Sequence, residues 1–313
     1  MSKPIVVVGS INLDLVVGAD RLPLPGETIT GNHFATFHGG KGANQAVAVA
    51  KLGYPVAMVG CVGHDNFGSQ LRHGLENAGV DVSHVSTVDE SSGIALITTG
   101  KRGENSIVVV PAANARLTPE IVERAAPMLE RAGIILAQLE IPLGTVEYLA
   151  HFADTRGIPL MLDPAPARDL PESLLRRVTW LTPNETEAHA LLANGAGGHG
   201  ATSEHAARCF LVRGVKNVIL KLGSRGCLIA QPDREDRRVT AFSVTAVDTT
   251  AAGDAFNGGF AVALMRGLDV SRSAVFASAV AAISVTRSGA QPSMPTADEV
   301  DLFLKTTPAH GSK

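Results

Sequence analysis

The stretch TPEIVERAAPMLERAGIILAQLEIPLGTVEYLAHFADTRGIPLMLD, residues 118–163, decides the fold class. Thr118 reads as an N-cap and Pro119 as the first helical residue, which predicts a helix over 119–132. The aliphatic run at 134–139 follows as a strand, then a helix over 145–156 and a strand over 159–163. Continuous apolar runs of this length fit strands buried on both faces of a sheet. Strands alternating with helices imply a parallel sheet covered on both sides.

The alternation continues outward in both directions. Downstream, a helix at 172–177 precedes a strand at 179–182, and helices at 185–193 and 204–213 precede a strand at 217–222. The loop NGAGGHG, 194–200, has no strand leading into it and reads as a connection. An antiparallel pair is predicted over 226–231 and 239–244, then helices over 254–266, 272–286 and 298–304. Upstream lie a strand at 5–9, a helix at 43–53 capped by Gly53, a strand at 55–60 and a helix at 67–79 ending in Gly79. Two segments break the pattern. Residues 12–37 carry Pro23, Pro25, Gly26 and Gly31 between short extended pieces, and 94–99 with 106–110 form a hairpin around GKRGEN. Together they suggest a small β-structure outside the main sheet.

With 313 residues, 45% of them hydrophobic, the chain can bury a substantial core. The formal charge of −3, without a run of five like charges, points to neither nucleic acid nor a membrane surface as partner. Cys61, Cys209 and Cys227 form no CxxC pair, so neither a disulfide framework nor a zinc ribbon is expected, and a reducing cytoplasm fits. The apolar run at the N-terminus is too short for a secretory segment, and no stretch is long enough to span a bilayer.

Chemistry concentrates in AVDTTAAGDAFNGG, 246–259. Ala251, Ala252 and Gly253 open a helix whose first N–H groups can face an anion, and Asp254 stands beside them as a carboxylate able to take a proton. An ordinary helix start capped by Thr249 or Thr250, with Asp254 favourable to the dipole, explains the same residues. HGGKGANQ, 38–45, is no Walker A loop, because Gly42 follows Lys41 where Ser or Thr is required. Its glycines would let backbone approach a polyhydroxylated ligand beside Lys41 and Asn44, or form a solvated turn. Asn12 and Asp14 follow the first strand, where ligands of open α/β sheets bind, although a turn role also fits. No GxGxxG follows Gly9, so a dinucleotide site is disfavoured. Asn184 and Glu187 share a helix start and suit either a hydrated magnesium ion or capping with Thr182. Ten histidines without HExxH spacing argue against catalytic zinc.

Eight motifs stand in one order and register between residues 5 and 304: GSINLD, PGETITG, GGKGANQAVA, DPAPARDLP, TPNETEA, LGSRG, VDTTAAGDAFNG and VTRSGAQPSMP. In these the chain resembles the ribokinases of the PfkB carbohydrate kinase family. The resemblance implies a single catalytic α/β domain over 1–313, doubly wound and mostly parallel. A small β lid from 12–37 and 94–110 would cover the sugar and meet a second lid in a homodimer. It implies ATP- and magnesium-dependent phosphorylation of the 5-hydroxyl of D-ribose in the cytoplasm. A kinase for another sugar or a nucleoside, or a non-catalytic sugar sensor, are the rival readings.

By the same resemblance, Asn12, Asp14, Gly39, Gly40, Lys41, Asn44 and Glu140 would hold sugar hydroxyls, with Ala95 and Ile107 touching the ring from the lid. Asp254 would be the base, ionised at neutral pH with an ordinary pKa of about 4, and the N–H groups of Ala251, Ala252 and Gly253 the anion hole. Asn184 and Glu187 would organise magnesium and phosphates. Lys221, Leu222, Gly223, Ser224, Arg225, Gly226 and Ser278 would lie near the nucleotide. A potassium-type ion would sit among Asp248, Thr250, Ser284, Arg287, Gly289 and Ser293. Two positions depart from the family. Ala112-Ala113-Asn114 replaces Gly-Ala-Asn after the lid, which matters if that first residue has positive φ, and Ser278 replaces a common adenine-site asparagine.

Overall fold

The computed structural model describes residues 2–102, 104–192 and 202–307, so the predicted connection at 194–200 lies outside the described residues. The chain begins with β1 (Ile5–Val8), passes through β2 (Asn12–Gly18) and β3 (His33–Gly39), and continues as α1 (Lys41–Lys51), β4 (Val56–Gly63), α2 (Asn66–Asn77) and β5 (Asp81–Val88). The hairpin β6 (Gly93–Thr99) and β7 (Asn105–Val110) follows. Next come α3 (Pro119–Arg124), α4 (Ala126–Leu129), β8 (Ile134–Ala137), α5 (Leu143–Thr155), β9 (Leu160–Leu162), α6 (Glu172–Leu175), β10 (Trp180–Leu181), α7 (Glu185–Leu192), α8 (Ser203–Val212) and β11 (Val218–Lys221). The described chain closes with β12 (Cys227–Ala230), β13 (Arg237–Val239), α9 (Ala252–Met265), α10 (Val270–Ser284) and α11 (Ala297–Thr306).

Nine strands form one sheet in the order β13-β12-β11-β10-β9-β8-β1-β4-β5. All neighbours from β5 to β11 run parallel, and β12 and β13 add an antiparallel edge. Every residue of β1 is buried, because alternate side chains enter two different cores. Ile5 and Val7 pack with residues of α1, α9 and α10, among them Val49, Phe260 and Val280. Val6 and Val8 enter the core on the opposite face, which also holds Leu149, Ala188 and Phe210. This two-sided burial explains why the strands read as continuous apolar runs.

The two irregular segments join as a second sheet of four strands, in the order β3-β2-β6-β7. β2 pairs antiparallel with β3 and parallel with β6, and β6 pairs antiparallel with β7. Its outer part is apolar and bare. Phe34, Leu96, Ile107, Val108, Val109 and Val110 are exposed, and every residue of edge strand β7 is solvent-facing.

Several expectations need correction. The helix predicted over 119–132 is two short helices meeting at Ala125, since Pro127 cannot donate to the carbonyl four residues back. Thr118 stands at the N-cap, but its side chain makes no capping bond. The partner of the 226–231 strand runs over Arg237–Val239 and not over 239–244. Val239 pairs with Cys227, and beyond it Gly226 turns away at φ 91, so residues 240–244 have no ladder to join. Strand β5 is absent from the sequence reading because it buries only Val82 and Val85 and, apart from Val88 at its end, carries polar residues elsewhere.

Ala112, where the family's glycine was expected, has φ 43, in the left-handed region that costs a Cβ-bearing residue about 1–2 kcal/mol. Ala112→Gly is therefore expected to stabilise the protein by about 0.5–1 kcal/mol in urea unfolding. A loss of stability would show that the turn holds no such strain.

Candidate functional site

The chain leaves β1 toward β4 and β5 on one side and returns only later to β8 on the other. A crevice at the carboxyl ends of the strands, at such a switch in strand order, is where open α/β sheets bind ligands. Ser10 and Asn12 follow β1, Gln138 and Glu140 follow β8, Asp163 follows β9, Asn184 follows β10, and Lys221 ends β11.

On one side of the crevice, glycines let backbone come close. Gly40 has φ 87, and a Cβ there would lie 2.7 Å from the Asn12 amide nitrogen; one on Gly39 would lie 2.3 Å from Asp14 Oδ2. Only glycine fits such approaches. Asn114 clamps the turn after β1, accepting from Ile11 N–H at 2.8 Å and donating to Asn12 Oδ1 at 2.7 Å. Glu140 Oε2 accepts from Ser10 Oγ at 2.6 Å and from Lys41 N–H at 3.1 Å. Ala95 is buried opposite Asp14 across β2 and β6. Ile107 is on the same face but opposite Ile97, two residues farther along, and 53% exposed.

Asp254 lies buried in the first turn of α9, its Oδ2 accepting from Asn44 Nδ2 and its Oδ1 from Gln45 Nε2, both at 3.0 Å. Neither Thr249 nor Thr250 caps the helix. The N-cap is Ala251, in the left-handed region at φ 59 with no side-chain bond, a strained arrangement of the kind found at functional sites. The N–H of Ala252 turns back to the Thr249 carbonyl at 3.2 Å, so in this conformation it is not free to face an anion as expected. Asn44 Oδ1 is buried without a partner among the described residues. An orphaned acceptor costs about 1–3 kcal/mol and suits a ligand hydroxyl.

Burial raises the pKa of Asp254 to about 6, with Lys41 opposing and Asp163 adding to the shift, so the ordinary value expected for this carboxyl does not hold. Asp14 rises to about 7 through burial, then through the charges of Glu140 and Asp254. Burial pulls the Lys41 ammonium down, but the carboxylates of Asp254, Asp163, Glu140 and Glu187 outweigh it and hold the pKa above the usual lysine range. The site is thus an anionic cluster with a lysine among its charges.

On the other side, Asn184 Oδ1 accepts from Glu187 N–H and Glu187 Oε2 from Asn184 N–H, both at 2.8 Å. This reciprocal cap uses Asn184, not Thr182, and leaves Glu187 Oε1 outside it. Burial raises the Glu187 pKa against the pull of Lys221, a setting in which a divalent cation would favour the ionised form. Lys221 Nζ pairs with Asp163 Oδ1 at 3.0 Å and lies 3.2 Å from where a Gly253 Cβ would stand. In the loop after β11, Leu222 N–H donates to the Gly226 carbonyl, and Gly223 and Gly226 both take positive φ. Ser224 is exposed and Arg225 is ion-paired with Glu185. Ser278 is buried on α10 beside the Cys227 thiol.

The residues expected around a monovalent ion lie in the loop before α9 and at the end of α10 with the loop after it. Asp248 accepts from Thr250 N–H at 2.9 Å and from Gly289 N–H at 2.8 Å, tying the two loops together. These bonds hold its carboxyl below the usual range despite burial. Ser284 and Ser293 share a hydroxyl bond of 2.7 Å, and Arg287 pairs with Glu299. Sequence reasoning missed Gln45, Gln138, Asp163, Asn114 and Ser10. Gln45 and Asp163 stood inside quoted motifs, but their roles depend on partners more than 90 residues away.

The family described as pfkB family carbohydrate kinase matches residues 2–297. The chain belongs to that family. It is 40% identical over 306 residues to a ribokinase of Haemophilus influenzae, covering 97% of this chain and 99% of that protein. It is 39% identical over 305 residues to a deoxyribokinase of Salmonella typhi, covering 96% and 98%. The structure of Arabidopsis thaliana ribokinase complexed with ribose and ATP superposes with a TM-score of 0.90 at 37% identity, covering 97% of this chain and 99% of that one. Among the described residues, no helix is long and apolar enough to cross a membrane.

Asp14 and Asp254 hold folded-state pKa values near 7 and 6, above the carboxyl value of 3.8. A raised acid binds its proton more tightly when folded, so ligand-free stability should fall as pH rises from about 4 to about 7. Asp14→Asn is expected to flatten the upper part of that slope and to stabilise the protein at pH 8 by about 1–3 kcal/mol. Urea unfolding across pH reads both, and an unchanged slope removes the Asp14 carboxyl as its cause.

Proposed function

We propose that this chain is a ribokinase, transferring the γ-phosphoryl group of ATP to the 5-hydroxyl of D-ribose. The observation that carries the reading is the buried Asp254 carboxylate, held by Asn44 and Gln45 at the start of α9 and facing the charged groups Asp14 and Lys41. The full-length likeness to ribokinases supports the choice of pentose. Asn12, Asp14, Gly39, Gly40, Lys41, Asn44 and Glu140 bind the sugar hydroxyls, with Ala95 against the ring. Asp254 takes the hydroxyl proton as the O5–phosphorus bond forms and the bond to the departing ADP breaks. A base with a pKa near 6 is largely ionised at neutral pH yet remains basic enough to accept that proton.

Phosphoryl transfer asks the protein mainly for alignment and charge stabilisation. The N–H groups of Ala251 and Gly253, joined by that of Ala252 once it swings from Thr249, serve as the anion hole. The loop 221–226 and Ser278 border the nucleotide. Asn184 and Glu187 would hold magnesium through water, supplying positive charge at the phosphates. Asp248, Thr250, Ser284, Arg287, Gly289 and Ser293 would enclose potassium, which would stiffen the approach to Ala251. The four-stranded sheet is the lid of a single catalytic domain and excludes water from the transfer. Its bare apolar strands are the meeting surface of a homodimer.

ADP release across D-ribose, 2-deoxy-D-ribose, hexoses and nucleosides tests the assignment. D-ribose is expected to give the highest kcat/KM, and Asp254→Asn to lose roughly 10²–10⁴ in kcat with ribose still bound. Preference for 2-deoxy-D-ribose, which the deoxyribokinase likeness makes the second reading, would overturn the substrate, and an active Asp254→Asn would overturn the base. The same assay should show a higher kcat in potassium than in sodium at equal ionic strength, and indifference would remove the potassium site. Light scattering should find a dimer that Phe34→Asp dissociates; a wild-type monomer would refute the lid interface.

A further inference from the structure

Beneath Asp254 lies a buried amide whose orientation is determined by two carboxylates. Gln45, on α1, is 1% exposed, and its Nε2 donates to Asp254 Oδ1 at 3.0 Å and to Asp163 Oδ2 at 3.2 Å. A carboxamide nitrogen has two N–H bonds, one for each carboxylate. Its Oε1 points away from both and accepts from Nε2 of the fully buried Gln138 at 2.8 Å. A flipped Gln45 would turn its oxygen toward two carboxylates and its NH2 toward another NH2. Both contacts would be repulsive in a site shielded from water.

We propose that Gln45 is a positioning residue for the phosphoryl-transfer base: with its amide held by two carboxylates and backed by Gln138, Gln45 directs Asp254 Oδ1 and bridges it to Asp163. The proposal rests on the reading of Asp254 as the base. Asn44 restrains the other oxygen, so two neutral amides from consecutive residues of one helix fix the carboxylate plane. Each carboxylate oxygen keeps a lone pair for the incoming proton. The bridge also offsets repulsion between two buried acids. Asp163 is neutralised on its far side by Lys221, whereas Asp254 is faced by the cation of Lys41 and by the carboxyls of Asp163 and Asp14. A lysine in place of Gln45 would neutralise the base, and a carboxylate would add a third acid. An amide of fixed polarity stabilises the ionised base without adding a second cation beside Lys41, which would lower its basicity.

Two variants test this. Gln45→Met keeps the volume and removes both N–H groups; kcat is expected to fall about 10–100-fold, the loss of one hydrogen bond to a charged group. Ribose KM should stay within about threefold, and the acid limb of the kcat–pH profile should move to higher pH, because the ionised base has lost a donor. Gln138→Met touches neither carboxylate but leaves the buried Gln45 Oε1 without its donor and so loosens the amide, and should move kcat and the acid limb the same way by less. Calorimetric ribose binding in each variant reports an intact sugar site. Wild-type kcat and acid limb in both variants, with Asp254→Asn inactive, would overturn the positioning role and leave the base reading standing. Loss of ribose binding without a shift in the acid limb would likewise count against it, since that is a packing effect. An active Asp254→Asn would instead remove the base, and Gln45 with it. Should Gln45→Met not fold, Gln138→Met decides alone.

Discussion

The structure depends on keeping one carboxylate charged where water has been removed. Asp254 lies in the first turn of a helix packed against the main sheet, and burial alone would drive it neutral. Asn44, Gln45 and the nearby Lys41 oppose that, and all three come from α1, so the packing of α1 against α9 is itself part of the site. The result is a pKa close to the operating range of a general base, reached by balance between desolvation and partners. The cost shows in Ala251, left in a left-handed conformation, and in Asn44 Oδ1, buried without a partner among the described residues. Both are features that a protein selected for stability alone would shed.

The same logic explains where the backbone is thin. Side-chain-free positions at Gly39 and Gly40 let the chain between β3 and α1 press against Asn12 and Asp14, which brings the end of the small sheet and the start of α1 to one crevice. Asn114, from the segment after β7, then clamps the turn leading out of β1. Three segments more than 25 residues apart are thereby locked into one wall. The small sheet has the opposite character. Its β7 edge is long, apolar and unpaired, a liability that proteins ordinarily cover.

Much of this was legible in the sequence, for physical reasons that differ by element. Strands buried on both faces read as unbroken apolar runs, and Gly53 and Gly79 marked helix ends through their need for positive φ, so the doubly wound sheet could be read locally. Asp254 and its neighbours were visible because helix starts favour anions whatever surrounds them. Strand β5 escaped because only two of its side chains are buried, and the break at Pro127 escaped because a helical period persists across it. What only the tertiary structure decided was which groups meet. Nothing in the sequence ties Gln45 to Gln138 and Asp163, or Lys221 to Asp163, because those contacts exist only when α1, β8, β9 and β11 end at the same crevice. The pKa of Asp254 belongs to the same category. A residue type sets the value in water, whereas burial and the charges that folding brings within reach set it here, and those are properties of the packed chain.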